Sequence, residues 1–290
     1  MENGGFTALK LTVATFFLST LVTNDVALIT IVPLTLAINV NRKGILVILE
    51  TLAANAGSAL TPMGNPQNLY IYWFYGCSAA AFIKTIAPFS LTFLVLLITI
   101  ALFVETENIS SHNSRSQKMN DKAYGFGILL VILLLIIFHV LPISVSVAVI
   151  LFAFIFDRQS FKIDYTLLLT FLFFFGISDN IKVLIPSEIA HSSHTFLFAV
   201  LASQIMSNVP AALLFTKFTR HWQPLLWGVN AGGFGSLFGS LANLIAYKIY
   251  ITNSTMDDTD RFTMRFLVAG YMALIISIGL YYQIYGPPIS

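Results

Sequence analysis

The sequence predicts an all-α polytopic membrane protein built as two inverted repeats, each carrying a re-entrant helical hairpin and a broken transmembrane helix. Composition is the first observation: of 290 residues, 57% are hydrophobic and 10% charged, with a mean hydropathy of +0.83. Such a chain cannot hide its apolar surface in a core of its own and must face lipid. A repeated polar pattern is the second. Ser19, Thr23 and Asn24 in STLVTNDVAL recur as Ser203, Ser207 and Asn208 in SQIMSNVPAA. Each copy is followed by a second polar break, NAGSALTPMGNPQNLYIY from Asn55 or NAGGFGSLFGSLANLIAY from Asn230. Aligned without a gap, the breaks share Asn55/Asn230, Ala56/Ala231, Gly57/Gly232, Gly64/Gly239, Asn68/Asn243, Leu69/Leu244 and Tyr72/Tyr247. Two oxygen-rich breaks in an apolar chain point to one site made from two halves.

Residues 1–104 form the C-terminal part of the first repeat, with a hairpin over 7–40, a broken helix over 44–75 and a helix over 80–104. The hairpin arms, Thr7–Val22 and Val26–Ile38 here and His194–Met206 and Val209–Phe218 in the second hairpin, are mostly near the roughly 10 to 14 residues expected of re-entrant segments rather than the roughly 17 to 25 of a full span. The half-helices Gly44–Ala54 and Pro66–Tyr75 flank a break that is tolerated at membrane depth only where protein or a wet cavity satisfies its backbone. Residues 105–123, containing ENISSHNSRSQKMNDK, form a polar cytoplasmic linker. The second repeat, 124–290, holds helices over 124–183, a hairpin over 192–220, a broken helix over 222–250 and a helix over 262–283. Its three leading crossings are Tyr124–Leu141, Pro142–Phe156 and Tyr165–Val183.

Between the hairpins lie the broken helix and the helices starting near Ala80, Tyr124, Pro142 and Tyr165, which is five crossings. An odd number makes the hairpins enter from opposite faces, the arrangement of alternating-access transporters with a midplane site. Lys10, Arg42, Lys43, Arg115, Lys118, Lys122, Arg158, Lys162, Lys248, Arg261 and Arg265 fall on the first hairpin's side, against Lys84, Lys182, Lys217 and Arg220 on the other. That bias puts the first hairpin's base in the cytoplasm and the C-terminus outside the plasma membrane.

The chemistry follows from the side chains at the breaks. Ser19 and Thr23 are four residues apart, so both hydroxyls lie on one helix face, and Asn24 adds an amide oxygen at the tip. The break at Asn55 is expected to add free carbonyls around Gly57; Ser203, Ser207, Asn208, Asn230 and Gly232 repeat the offer. Neutral oxygens suit Na⁺, whereas Ca²⁺ would want carboxylates and zinc would want His or Cys. Half-helix N-termini aimed at the centre favour an anion between two cation cages. Thr61 and Ser236, in the two breaks, join the candidate substrate-binding set. The partners expected are therefore the lipid bilayer and a small anionic substrate, with Na⁺ or H⁺ as coupling ion and no other cofactor.

Other classes have little support. The net charge of +2 gives no reason to expect nucleic acid, and the lone Cys77 excludes an internal disulfide. An intramembrane enzyme lacks its parts: HExxH is absent, and the Ser and Thr of the breaks have no His or Lys placed to activate them. Gly233, Gly235 and Gly239 imitate a nucleotide loop, but no strand precedes them, so close backbone approach is the better reading. Trp222, Trp227, Tyr281 and Tyr282 lie near span ends, as interfacial anchors do.

These tips and breaks, in the order hairpin, broken helix, helix, resemble the ion-transporter superfamily of divalent-anion/sodium symporters, citrate permeases and arsenite permeases. The resemblance covers nearly the whole chain. It implies that Na⁺ is held by Ser19, Thr23, Asn24 and Gly57, then by Ser203, Ser207, Asn208 and Gly232. It also implies a homodimer with scaffold helices before the first hairpin, whereas here Met1 opens almost directly into it. Two departures bear on substrate. Asp25 and Val209 stand where dicarboxylate symporters have a threonine, and Pro210 follows Val209. A carboxylate there repels a dicarboxylate unless it is protonated or neutralised, which brings these tips closer to arsenite permeases and proton antiporters.

Asp25 and Glu50 are the intramembrane carboxylates expected to serve coupling, since ionisable groups at depth are costly. Glu50 has an alternative as an interfacial charge near Arg42 and Lys43. Asp179 with Lys182, spaced i, i+3, reads as a snorkelling surface pair, and His139 as interfacial. The overall expectation is secondary active transport of a citrate-, dicarboxylate- or oxyanion-like substrate. Its alternatives are a Na⁺/H⁺ antiporter or arsenite-type permease, and a truncated remnant that does not transport.

Overall fold

Helix is the only regular structure among the described residues, as a chain facing lipid requires, because helices satisfy their own backbone. The computed structural model describes residues 5–104, 106, 121–138, 140–156, 192–253 and 256–286, with positions 165, 169, 173 and 176. His139, Asp179, Lys182 and most of the span expected over 165–183 lie outside the described residues. Two compact units emerge, Met1–Ser110 with Phe174–Ser290, and Ser111–Phe173.

In the smaller unit α6 (Asp121–Ile137) packs on α7 (Val145–Phe156). The turn between them closes where the Leu135 carbonyl accepts the N–H groups of Val140 and Leu141 at 2.9 and 3.1 Å.

In the larger unit α1 (Gly5–Leu21) and α2 (Asn24–Ala37) both pack on α3 (Lys43–Ala59). Next come α4 (Pro66–Tyr75) and α5 (Ala79–Phe103). Further along, α8 (Ser192–Met206) and α9 (Asn208–Phe215) pair, followed by α10 (Trp222–Ala231), α11 (Leu241–Thr252) and α12 (Met256–Tyr285). Packing crosses between the chain segments: α9 lies on α4, and α11 on α2 and α3. Only α5 and α12 among the described helices are long and apolar enough to cross a bilayer alone. Outward-facing Leu91, Val95, Met264, Met272 and Ile275 supply the apolar surface that lipid would cover.

The half-helices start on side-chain caps. Asn65 Oδ1 accepts the Asn68 N–H at 2.9 Å, with Pro66 at the first helical position. Ser240 Oγ accepts the Ala242 N–H at 3.3 Å for α11. Both preceding half-helices run further than their sequence suggests. α3 continues through Asn55 and Gly57 to Ala59, and α10 through Asn230 to Ala231. The carbonyl of Gly57 is therefore not free: Leu60 N–H closes the last turn on it at 3.0 Å, a three-residue bond of the kind that tightens helix ends. The break itself is residues 60–65.

The aromatic residues expected as interfacial anchors are partly core. Trp227 is fully buried, with Nε1 donating to the Thr85 carbonyl at 2.9 Å. Its ring lies edge-on to Phe89 and Tyr281, and Tyr281 stacks on Phe196 at 3.7 Å. A buried indole N–H needs such a partner, and the gap between α10 and α5 supplies it. Gly235, at φ +88°, donates its N–H to the Gly270 carbonyl of α12 at 3.0 Å, the close backbone approach its glycine permits.

Candidate functional site

Four asparagines lock the two breaks together. Asn55 donates Nδ2 to Asn243 Oδ1 at 2.7 Å and to the Thr51 carbonyl at 3.2 Å. Asn230 makes the equivalent pair, to Asn68 Oδ1 at 2.8 Å and to the Leu226 carbonyl at 2.8 Å. Each half therefore donates to the other. Asn68 then closes its own break, donating to the carbonyls of Ser58, Ala59 and Thr61 at 3.2, 3.1 and 3.3 Å. Asn243 does so for the second break through the carbonyls of Gly233 and Ser236, at 2.9 and 3.0 Å. An amide has two donors and a two-lone-pair acceptor, so one Asn side chain can bridge a freed carbonyl and a distant helix at once. All four are buried.

The tips dock onto the breaks by matching bonds. Asn24 N–H donates to the Gly64 carbonyl and Asn208 N–H to the Gly239 carbonyl, each at 3.0 Å. Asn24 Nδ2 reaches Asn55 Oδ1 at 3.2 Å and Ser240 Oγ at 3.4 Å, and Asn65 Nδ2 reaches Asn230 Oδ1 at 3.3 Å. Through these contacts the N-termini of α2, α4, α9 and α11 gather around the lattice. Thr61 and Ser236 hold the tips from beneath, donating to the carbonyls of Thr20 and Gln204 at 2.7 and 3.1 Å. Their hydroxyl protons are thus committed to the scaffold.

Two glycines set how closely the helices approach. A Cβ on Gly57 would collide with the Phe16 carbonyl and Ser19 Oγ of α1, and one on Gly232 with the Ser203 side chain of α8. The structure thus brings Ser19 to Gly57 and Ser203 to Gly232. Ser19 Oγ donates to the Phe16 carbonyl at 2.8 Å and Ser203 Oγ to the Ala199 carbonyl at 2.7 Å, which leaves both hydroxyl oxygens their lone pairs. Thr23 Oγ1 accepts the Val26 N–H at 3.4 Å as the cap of α2. Ser207 Oγ lies 3.5 Å from Asn208 Oδ1.

The carboxylates divide. Asp25, in the first turn of α2, has a buried Oδ1 without a hydrogen-bond partner. An orphaned acceptor beside neutral hydroxyl and amide oxygens fits a small cation or a proton. Val209 takes this place at the second tip, where only neutral oxygens stand. Glu50 is fully buried beneath Thr35 of α2 and outside the lattice. Asn68, Asn243, Asn65, Ser240 and Gln204 are absent from the candidates named from sequence. Asn68/Asn243 already appeared in the alignment of the breaks, and that repetition was the available signal.

A family profile described as citrate transporter (CitMHS) matches residues 3–232. An uncharacterized transporter of Methanocaldococcus jannaschii is 33% identical over 245 residues, covering 81% of this chain and 68% of that protein. The inner membrane protein YbiR of Escherichia coli K12 is 35% identical over 260 residues, covering 83% of this chain and 69% of YbiR. These matches, on a helical chain with lipid-facing surfaces and an interlocked polar centre, make it an integral membrane transporter of a small substrate rather than an enzyme. The chain belongs to the citrate transporter family.

Proposed function

We propose that the protein is a secondary active transporter of a small anion, citrate- or dicarboxylate-like or an inorganic oxyanion, coupled to Na⁺ or H⁺ by alternating access. The observation that carries this reading is the reciprocal asparagine lattice at the meeting of four helix N-termini. Backbone N–H groups and helix dipoles at such ends attract an anion without Arg or Lys. The matching bonds at Gly64 and Gly239, and the parallel donations of Asn55 to Asn243 and of Asn230 to Asn68, support an inverted repeat with two re-entrant hairpins. On that reading the anion sits between cation sites at Ser19, Thr23, Asn24 and Gly57 and at Ser203, Ser207, Asn208 and Gly232. When bound, the cation would supply positive charge beside the anion. The chain's own part is to orient hydroxyl and amide oxygens and to tie each tip to its break, so that tips and breaks move together. In this topology the C-terminus is extracytoplasmic.

Asp25 favours a second reading, a Na⁺/H⁺ antiporter or arsenite-type permease, because a carboxylate at the tip opposes an anion unless a cation neutralises it. Uptake into proteoliposomes under imposed Na⁺ or H⁺ gradients, across citrate, succinate, sulfate, phosphate and arsenite, separates the readings. Asn24→Ala and Asn208→Ala are each expected to abolish gradient-driven uptake, and normal uptake by both defeats the two-cage site. Asp25→Asn is expected to change the pH or Na⁺ dependence of the same assay; an unchanged profile removes Asp25 from coupling.

A further inference from the structure

Glu50 stands on α3 five residues before Asn55, roughly 7.5 Å of helix rise away, and takes no part in the lattice. Its side chain is fully buried. One oxygen, Oε1, meets the Thr35 hydroxyl of α2, and the other, Oε2, is buried with no hydrogen-bond partner. Buried Leu46, Val47, Ala53 and Ala54 flank it on α3. An ionised carboxylate accepts at both oxygens, and leaving one unmet in apolar surroundings is among the most costly arrangements a protein can hold. The neutral acid fits better. The acid still accepts the Thr35 hydroxyl at Oε1, and what stays unpartnered at Oε2 is then an uncharged group.

Among the described residues, the surrounding elements offer no charge to offset an anion there. Lys10 of α1, Lys84 of α5, Lys248 of α11, and Asp258, Asp260, Arg261 and Arg265 of α12 are exposed, and α10 carries no ionisable residue. On α2, Asp25 lies ten residues from Thr35, in the first turn of the helix. On α3, Arg42 is exposed at the N-cap, and Lys43 Nζ donates to the Leu36 carbonyl at 2.6 Å. Of the tyrosines on α11, Tyr247 has its hydroxyl 2.8 Å from Thr263 Oγ1, and Tyr250 stacks on Phe262.

The cover over Glu50 is the last turn of α2. Pro33 lies inside that helix two residues before Thr35, where it removes one backbone bond and weakens the helix. We propose that Glu50 is a proton-binding site distinct from the two tip sites, protonated while the last turn of α2 covers it and open to water when that turn lifts. On opening, the acid O–H bond breaks, the proton passes to water, and the carboxylate left behind is hydrated. On closing, the reverse step restores the neutral acid beneath Thr35. The coupling this supplies rests on the transport reading above; the protonation does not.

Infrared difference spectroscopy of the protein in bilayers, titrated with pH, reads the protonation directly. The expected result is a carboxylic-acid C=O band that is lost in Glu50→Gln and shifts its pH midpoint in Thr35→Val. Absence of the band from the unaltered protein, or its persistence in Glu50→Gln, overturns the proposal. The amide of Gln can bond Thr35 as the acid does, and an unchanged thermal unfolding midpoint verifies that this variant folds. In proteoliposomes with citrate as probe, Glu50→Gln is expected to keep citrate exchange and lose uptake driven by a pH gradient; retained pH-driven uptake also overturns it. If the unaltered protein neither exchanges nor accumulates citrate, it is the citrate reading that fails, while the infrared result still decides the proton site.

Discussion

At the first tip two residues, Val22 and Thr23, join α1 to α2, and Thr23 takes an ordinary extended backbone while its hydroxyl caps the next helix. At the second tip Ser207 alone joins α8 to α9, at φ +74° and ψ 156°, and its side chain caps nothing. That backbone region belongs almost entirely to glycine, and other residues in it cost of order 1–3 kcal/mol. Both tips nonetheless dock through the same Asn N–H to glycine carbonyl bond at 3.0 Å. The common part is the docking; the differing parts are the turn and the residue after the asparagine, Asp25 against Val209. The first tip is relaxed and carries a carboxylate, while the second is strained and neutral. On the transport reading, this assigns cation coupling to the first tip and stored strain to the second.

The comparison breaks first at the lattice. Asn55→Ala strands Asn243 Oδ1 and leaves Asn24 Nδ2 only its bond to Ser240 Oγ, and Asn230→Ala strands Asn68 Oδ1 and leaves Asn65 Nδ2 only its bond to Ser58 Oγ. With roughly 1–3 kcal/mol for the stranded oxygen and about 1 kcal/mol for the other bond lost across the lattice, each variant is expected to lose about 2–4 kcal/mol. Unfolding in detergent measures the loss, and unequal losses would show that the halves do not share the lattice evenly. The two together should lose less than the sum, because the residues act in one network.

The glycines come next. A Cβ at Gly57 meets the Phe16 backbone, whereas one at Gly232 meets the Ser203 side chain. Gly57→Ala is therefore expected to cost the larger share of the ~1–3 kcal/mol typical of overpacking. Equal shifts in melting temperature would mean that α1 yields as readily as α8's side chain does. The smallest effect belongs to the turns. Ser207→Gly should stabilise by about 1 kcal/mol by releasing strain, and Thr23→Gly should destabilise by a few tenths through a weaker cap. If Ser207→Gly lowered the melting temperature, the strain assigned to the second tip would be absent.

Much of this site was legible because repetition survives in the side chains. Asn55/Asn230 and Gly57/Gly232 appear as pairs in the chain, and the structure gives each pair the same kind of neighbour. Thr61 and Ser236 were legible as residues but not as roles: nothing in their spacing says that their hydroxyls go to the carbonyls of Thr20 and Gln204. The extension of α3 through Asn55 was hidden for a related reason. An asparagine and a glycine read as a break by local propensity, but here Asn55 spends its amide on Thr51 one turn back and on Asn243 across the interface, so the helix persists. Trp227 likewise reads as an anchor from its position near a span end, and only α5 passing beside it makes it core.

Solvent, class and doubled motif could all be read along the chain, since hydropathy and repetition are properties of residues taken in order. That Asn55 donates to Asn243 while Asn230 donates to Asn68 emerges only once the helices are packed. Packing also decided that Asp25, half-buried in the first turn of α2, and Glu50, fully buried on the neighbouring α3, sit in separate places. Those outcomes depend on pairs between 162 and 188 residues apart in one case, and on an apolar cover supplied by a neighbouring helix in the other. Local pattern carries no information about which distant amide completes a buried hydrogen bond, and completing it is what burial demands.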